Sequence, residues 1–405
     1  MLLSNGQLVF PKDFFWGCST SAHQIEGGLT NDWTEWEKSE KRIKNLKTQN
    51  LDPFDFISNQ ATNSYLDNNA DIACIKELSL NAYRFSVDWS RIEPQPGLFS
   101  EEALEYYLNF VKKLRGHQIE PFVTLWHWPI PIWLRNEGGW QSKNIIKYFQ
   151  RFVDKVVTKL NPEVNFWITL NEPMVYSAMS FLSGKWPPEK HNPFVYYGVI
   201  NNLIMAHKNA FNIIKSIDST SQVGIAKHNI YFETSKNKIV NRLLKRSADW
   251  WWNERFLDIV NDTQDFIGLN YYFHNKINYG FGKSHPYERI SDMGWGLHPE
   301  GIYFLLKDLS NYNKPVYITE NGLADRGDQH RSWYIREILK NVHRAIEGGV
   351  PVRGYFHWSL IDNFEWTDGF HPRFGLYEVN YKTFERIARP SAKFYQDICS
   401  YNRVI

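Results

Sequence analysis

Short apolar runs alternate with longer amphipathic segments along the whole chain. The runs are rich in β-branched and aromatic residues, and each is five to eight residues long, as buried strands are. They cover residues 14–21, 82–86, 121–125, 166–171, 223–227, 266–271, 316–320 and 352–359. Between them, apolar positions recur with helical spacing, for example over 101–115, 145–160 and 333–347. This alternation predicts a parallel sheet built from βα units.

Eight strands with helical crossovers are most simply closed as a (β/α)8 barrel, the TIM barrel. The chain of 405 residues exceeds the usual size of a single core, but such barrels reach this length when their loops are long. No repeat and no Pro/Gly/Ser-rich linker divides the sequence. We therefore expect an α/β fold with one barrel domain over 1–405 and extended βα loops. The polar, irregular stretch 35–60 is interpreted as a long loop.

The charge balance argues against two classes of partner. The chain has 46 basic and 44 acidic residues, a formal net charge of +2, so we expect no nucleic acid and no membrane as a partner. The most apolar long stretch, 121–134, contains His127 and three prolines, which excludes a membrane span. Residues 1–25 lack the pattern of a signal peptide, and the three cysteines are widely spaced. A cytoplasmic location is the expectation.

The aromatic content points towards one kind of ligand. The chain contains 17 Trp, roughly twice the ordinary usage. Flat aromatic faces cover the C–H faces of sugar rings, so excess Trp beside polar residues favours a carbohydrate ligand. A large aromatic core explains about half of these residues equally well.

Two glutamates stand at the ends of predicted strands. Glu172 lies in the sequence TLNEP and Glu320 in the sequence ITENG. Strand ends of a barrel meet at its active-site face, and two carboxyl groups presented there are what cleavage of a glycosidic bond requires. A single glutamate at a strand end more often pairs with an arginine, but two such ends favour the catalytic interpretation.

The other strand ends carry groups that can bind hydroxyls. Sugar hydroxyls need both donors and acceptors, and amide, imidazole, phenol and carboxyl groups supply both. They follow the strands as Gln24, Arg84, His127, Asn270 with Tyr272, and Trp358 with Glu365 and Trp366. The histidines show no metal-ligand spacing, so we expect neither a metal nor another cofactor.

In these motifs the chain resembles glycoside hydrolase family 1, the retaining β-glucosidase and β-galactosidase family. The resemblance extends over nearly the whole chain. It implies that Glu172 is the acid/base and Glu320 the nucleophile. It also implies a cis peptide between Trp358 and Ser359. Further roles implied are sugar binding by Gln24, His127, Asn171, Asn270, Tyr272, Trp358, Glu365 and Trp366, a pocket rim at Phe374, an aglycone contact at Trp295, and support of the nucleophile by Arg84 and Tyr272.

The implied activity is that of a retaining exo-β-glycosidase. It would release non-reducing terminal β-D-glucosyl residues, and also galactosyl or fucosyl residues, through a covalent intermediate on Glu320. Small β-glycosides and oligosaccharides are the expected partners. Elementary electrostatics fits these roles: a cation such as Arg84 lowers the pKa of a nearby nucleophile, whereas apolar surroundings and the charge of Glu320 raise the pKa of Glu172.

Three alternatives remain at this level. The first is a 6-phospho-β-glucosidase, which the carboxylate of Glu365 and the lack of lysine in 367–374 disfavour. The second is a non-catalytic sugar-binding barrel, although this chain keeps both glutamates. The third, a metal-dependent hydrolase, predicts sensitivity to chelators. The sequence leaves the preferred sugar, the linkage and the oligomeric state open.

Overall fold

The computed structural model describes residues 7–235, 238–279, 281–282 and 289–404. Eight parallel strands form a closed barrel. In chain order, barrel strands one to eight are Phe15–Ser19, Ala82–Ser86, Glu120–Thr124, Phe166–Asn171, Gln222–His228, Phe266–Asn270, Val316–Asn321 and Val352–Trp358. The predicted TIM barrel is confirmed, and all eight predicted runs are its strands.

Helices surround the barrel and connect its strands. The α-helices are Ala22–Ile25, Asp32–Glu37, Glu40–Thr48, Asn68–Glu77, Trp89–Ile92, Glu101–Gly116, Ile132–Asn136, Asn144–Leu160, Pro173–Ser177, Pro193–Ile217, Ile239–Ala248, Arg255–Val260, Gly301–Leu309, Arg331–Glu347 and Pro390–Tyr401. Three small sheets decorate the barrel: Leu8–Val9 with Arg403–Val404, Tyr377–Val379 with Arg386–Ala388, and Tyr231–Thr234 with His274–Ile277 and Phe281–Gly282. No helix in the described ranges is long and apolar enough to cross a membrane.

The interpretation of 35–60 as a long loop is wrong. Helix Asp32–Glu37 runs into this stretch, and helix Glu40–Thr48 lies wholly inside it. Ser39 caps the second helix by accepting from the backbone of Arg42. Leu46 is the one buried residue of that helix, so the sequence shows no apolar stripe with helical spacing. The signal for this helix in the sequence is its N-terminal cap, Ser39, and not a buried apolar stripe. The prediction from hydrophobic periodicity did not take the cap into account.

The interior of the barrel changes from apolar to polar along the strands. Its lower part is filled by aromatic side chains, including Phe122, whose ring stacks 4.2 Å from that of Phe166. Two positions further along strands two and three, the same inward face carries Arg84 and Thr124, joined by a 3.1 Å hydrogen bond. Side chains two residues apart on a strand point to the same face, so both sets of residues point into the barrel. The aromatic side chains lie nearer the amino ends of the strands, and the polar ones lie nearer the carboxyl ends. The plug therefore forms the floor of the site.

Truncation of the aromatic plug tests this arrangement. Phe122→Ala removes a fully buried ring from a packed interior and should lower the free energy of unfolding by about 3–5 kcal/mol. The measurement is denaturant unfolding monitored by tryptophan fluorescence. Phe54→Ala is the matched control, because this side chain is 75% exposed and its loss should change stability by less than about 0.5 kcal/mol. Equal effects of the two variants would contradict the packed plug.

Candidate active site

A cavity of about 430 Å³ lies above the aromatic plug, at the carboxyl ends of the strands. Most of the site residues predicted from the sequence line it directly. These are Gln24, His127, Glu172, Tyr272, Trp295, Glu320, Trp358, Glu365, Trp366 and Phe374. The remaining three, Arg84, Asn171 and Asn270, are fully buried and bonded to the two glutamates or to each other. The structure thus brings all of the predicted residues together.

Glu320 ends strand seven in a strongly polar setting. The guanidinium of Arg84 donates to its Oε1 at 2.5 Å, and the hydroxyl of Tyr272 donates to its Oε2 at 2.8 Å. Both oxygens therefore face a donor, and one donor is a buried cation. Such contacts stabilise the ionised carboxylate.

Glu172 stands where strand four turns into the next helix. Its backbone adopts a left-handed conformation with φ of 45°, which is uncommon for a residue with a side chain. Its N–H donates to the carbonyl of Ala226 at 2.8 Å, and Pro173 begins the helix that follows. This turn aims the side chain into the cavity, where its Oε1 accepts from the amide of Asn270 at 2.8 Å.

Two asparagines connect the glutamates. Asn171 Oδ1 accepts from Arg84 at 2.7 Å and from Asn270 Nδ2 at 3.2 Å. Asn270 is held in turn by the hydroxyl of Thr319, which donates to its Oδ1 at 2.6 Å. The positions of Glu172 and Glu320 are consequently fixed by one continuous network.

The two carboxyl groups differ in the stability of their charged forms. Burial, together with the negative charge of Glu320, raises the pKa of Glu172 to about 8. Burial also raises the pKa of Glu320, but Arg84 and the hydroxyl of Tyr272 oppose that shift. Since Arg84 bonds to Glu320, whereas Glu172 accepts from the neutral amide of Asn270, the ionised form is favoured at Glu320 and the protonated form at Glu172.

His127 presents a free donor to the cavity. Its Nε2 lies 3.0 Å from the amide nitrogen of Asn171, which can only donate, so Nε2 is the acceptor. Burial lowers the pKa of His127 well below 6.5, so the ring is neutral and its hydrogen sits on Nδ1. That buried nitrogen has no partner among the described residues.

Another part of the cavity wall is formed by the end of strand eight and the residues that follow it. The Trp358–Ser359 peptide is cis, as the resemblance implied. Trp358 packs with Phe374, and Tyr272 and Trp295 lie against this pair. Gln24 donates to Glu365 at 3.2 Å, and its amide also bonds to Phe364 and Asn363.

The structure refines the expected state of Glu365. Burial, followed by the charges of Asp368 and Glu320, raises its pKa well above 4.5. A carboxyl group at this position can accept hydrogen bonds from sugar hydroxyls.

Three residues of strand five and its following connection were missed from the sequence. His228 and Trp252 line the cavity, and Lys227 lies buried behind them. Lys227 Nζ donates to the carbonyls of His228 at 2.7 Å and Trp252 at 2.5 Å. Burial lowers its pKa to about 7. The pair Lys227-His228 at the end of a predicted strand was the available signal.

Comparisons with known proteins agree with this geometry. The chain matches the family model described as Glycosyl hydrolase family 1 over residues 7–259 and 229–404. It is 32% identical to β-glucosidase A of Thermotoga maritima over 446 residues, which cover 97% of this chain and 98% of that protein.

Solved structures match over almost the full length. The β-glycosidase from Pyrococcus horikoshii has a TM-score of 0.90 and 36% identity, over 98% of this chain and 96% of that chain. The β-glucosidase from Thermotoga maritima in complex with glucoimidazole has a TM-score of 0.90 and 30% identity, over 98% and 100%. These similarities extend well beyond the site itself.

The raised pKa of Glu172 predicts a pH-dependent gain in stability for Glu172→Gln. Below about pH 4.5 the folded and unfolded chains both protonate Glu172, and the variant should gain nothing. Between pH 4.5 and about 8 the unfolded chain loses this proton first, which destabilises the wild-type fold alone. Unfolding measured at pH 4 and pH 8 should show a gain on the order of 4 kcal/mol at pH 8 only. A gain of equal size at both pH values would contradict the pKa shift.

Proposed function

The chain belongs to glycosyl hydrolase family 1, and we propose that it is a retaining exo-β-glycosidase acting on non-reducing terminal β-D-glucosyl residues. The observation that carries this proposal is the pairing of Glu172 and Glu320 in one cavity with opposite electrostatic settings. One carboxyl is kept protonated and the other is held as an anion by Arg84. Double displacement needs this division of roles.

In the first step the carboxylate of Glu320 attacks the anomeric carbon. The bond to the aglycone oxygen breaks, and Glu172 transfers its proton to that oxygen. The products are the free aglycone and a glycosyl ester of Glu320. Tyr272 and Arg84 hold the attacking carboxylate in place before the ester forms.

In the second step a water molecule cleaves the ester. The charge of Glu320 is absent from the ester, so one cause of the raised pKa of Glu172 is lost and Glu172 can act as base. Glu172 takes a proton from the water, the hydroxyl oxygen bonds to the anomeric carbon, and Glu320 leaves as a carboxylate. Two inversions at the same carbon retain the β configuration.

The remaining residues are proposed to hold the sugar. His127 Nδ1 offers a donor, Glu365 offers a carboxyl group positioned by Gln24, and Trp358 and Trp366 supply aromatic faces. Asn171 and Asn270 are also proposed to bind the sugar, in addition to their bonds to Arg84 and Glu172 respectively. We propose small β-glycosides and oligosaccharides as substrates, with β-glucosides first and β-galactosides or β-fucosides next. A panel of aryl β-glycosides compared by kcat/KM tests this order.

The electrostatic field of the cavity disfavours a phosphorylated sugar. The carboxyl groups of Glu172, Glu320, Glu365 and Asp368 line it, whereas Lys185 is the one lysine or arginine among the described lining residues. Burial, followed by the charges of Asp368 and Glu320, raises the pKa of Glu365, so acidic groups contribute to the local field. A phosphate dianion there would meet the same field. Repulsion by the ionised members of this group would add to that of the single carboxylate on which the sequence argument rested.

Azide rescue separates the two proposed roles. Glu320→Ala removes the nucleophile, so azide should restore turnover of an activated β-glucoside and yield the inverted α-glycosyl azide. Glu172→Ala retains the ester step for good leaving groups, so azide should attack the ester and give the β-glycosyl azide. Product configuration is measured by NMR. The same configuration from both variants would refute the assigned roles.

Glu365→Ser tests the hydroxyl-binding carboxyl. The variant loses hydrogen bonds to the sugar and should lower kcat/KM for p-nitrophenyl β-glucoside by about 1.5–3 kcal/mol in transition-state stabilisation. It also removes one acidic group, so the ratio of 6-phosphoglucoside to glucoside hydrolysis should rise. Glu102→Ser, at an exposed helix position, is the control. A wild-type protein that prefers the 6-phospho substrate would overturn the glucosidase proposal.

A further inference from the structure

Helix Ile239–Ala248 carries an apolar face that is in contact with solvent. Ile239 is 67% exposed, Leu243 64%, Val240 50% and Leu244 39%. Their spacing places them on one side of the helix. Asn241 and Ala248 on the opposite side are buried, and Ala248 packs with Phe232 and Ile277. We call the four exposed residues the apolar helix face.

Basic residues border this face. Lys238, Arg242, Lys245 and Arg246 fall within residues 238–248, a stretch with no acidic residue. Lys245 and Arg246 are paired with Asp249 and Glu254, which follow the helix. Arg242 is exposed. An apolar stripe flanked by Lys and Arg is typical of helices that lie on a lipid surface.

One turn joins the apolar helix face to the cavity. The turn Asp249–Glu254 follows the helix and carries three consecutive tryptophans. Trp250 is 45% exposed, Trp251 stacks on Tyr197 with ring centroids 6.3 Å apart, and Trp252 lines the cavity. The helix also belongs to the connection after strand five, which leaves the barrel at the same end as the cavity.

The cavity wall on this side is itself apolar. Its members offer aliphatic and aromatic surface to the cavity. They are Val175, Ala178, Met179, Ile230, Trp252 and Phe273. A wall of this kind suits an aglycone with a hydrocarbon chain, because burying each CH₂ group contributes roughly 0.8 kcal/mol.

We propose that the apolar helix face seats the protein on an anionic lipid surface, from which the cavity takes β-glycosides with an alkyl or lipid aglycone. The substrate part rests on the proposed glycosidase function, whereas the lipid contact does not. The near-zero net charge of the whole chain led us to expect no membrane partner. That total does not reveal the local excess of basic residues in 238–248. A second copy of the chain is a poorer occupant, because a symmetric contact would bring identical basic helices together.

Vesicle binding tests the lipid contact without substrate. The full-length protein is sedimented with phosphatidylcholine vesicles, with and without phosphatidylglycerol. Wild type should bind the anionic vesicles, and Leu243→Ser and Arg242→Glu should each weaken that binding about tenfold. Leu66→Ser is the matched control: Leu66 is 77% exposed but follows strand one, which stands opposite strand five in the barrel.

Kinetics test the substrate. Leu243→Ser should leave kcat/KM for p-nitrophenyl β-glucoside unchanged and lower the rate on an alkyl β-glucoside embedded in anionic vesicles. Failure of wild type to bind either vesicle, or equal loss in Leu66→Ser, overturns the lipid contact. So does a wild-type dimer that Leu243→Ser converts to a monomer. Inactivity on every aryl glycoside would instead overturn the proposed function, and vesicle binding would be unaffected.

Discussion

A single buried cation organises the site. Arg84 is 1% exposed, and a guanidinium at that depth is tolerated only when its donors are satisfied. It donates to Thr124 of strand three, Asn171 of strand four, and both the carbonyl of Thr319 and the carboxylate of Glu320 on strand seven. These contacts cross the barrel interior, so the need to satisfy one charge fixes the relative positions of three strand ends.

The same shortage of positive charge separates the two glutamates. A buried carboxylate without a cation is costly. Of the two glutamates, Glu320 is the one that Arg84 contacts directly. Lys227 is close enough to lower the pKa of Glu172, but its ammonium points to the carbonyls of His228 and Trp252. Glu172 therefore lowers its energy by keeping a proton. The proposed roles of acid and nucleophile therefore rest on the charges that the fold places around each carboxyl group.

Features set by local pattern could be predicted from the sequence, whereas features set by distant contacts could not. Buried parallel strands appear as continuous apolar runs, so all eight were found. The bond between Asn171 and Asn270 joins residues 99 apart, and the left-handed turn at Glu172 depends on Ala226, so neither is visible locally. Helix Glu40–Thr48 buries one residue and lacks a stripe. Lys227 lies in the predicted strand, but the position of its ammonium depends on the carbonyl of Trp252, 25 residues away, and is not visible locally.

The division of the cavity into a polar end and an apolar wall links binding to proton transfer. Burial is the largest cause of the raised pKa of Glu172, and apolar side chains such as Met179 and Trp252 line the same cavity. In the proposed mechanism, an aglycone in the cavity excludes water from Glu172, which favours its protonated form until the glycosidic bond breaks. Departure of the aglycone admits water, and Glu320 carries no charge in the proposed ester. Both changes would lower the pKa of Glu172 in the step that needs a base.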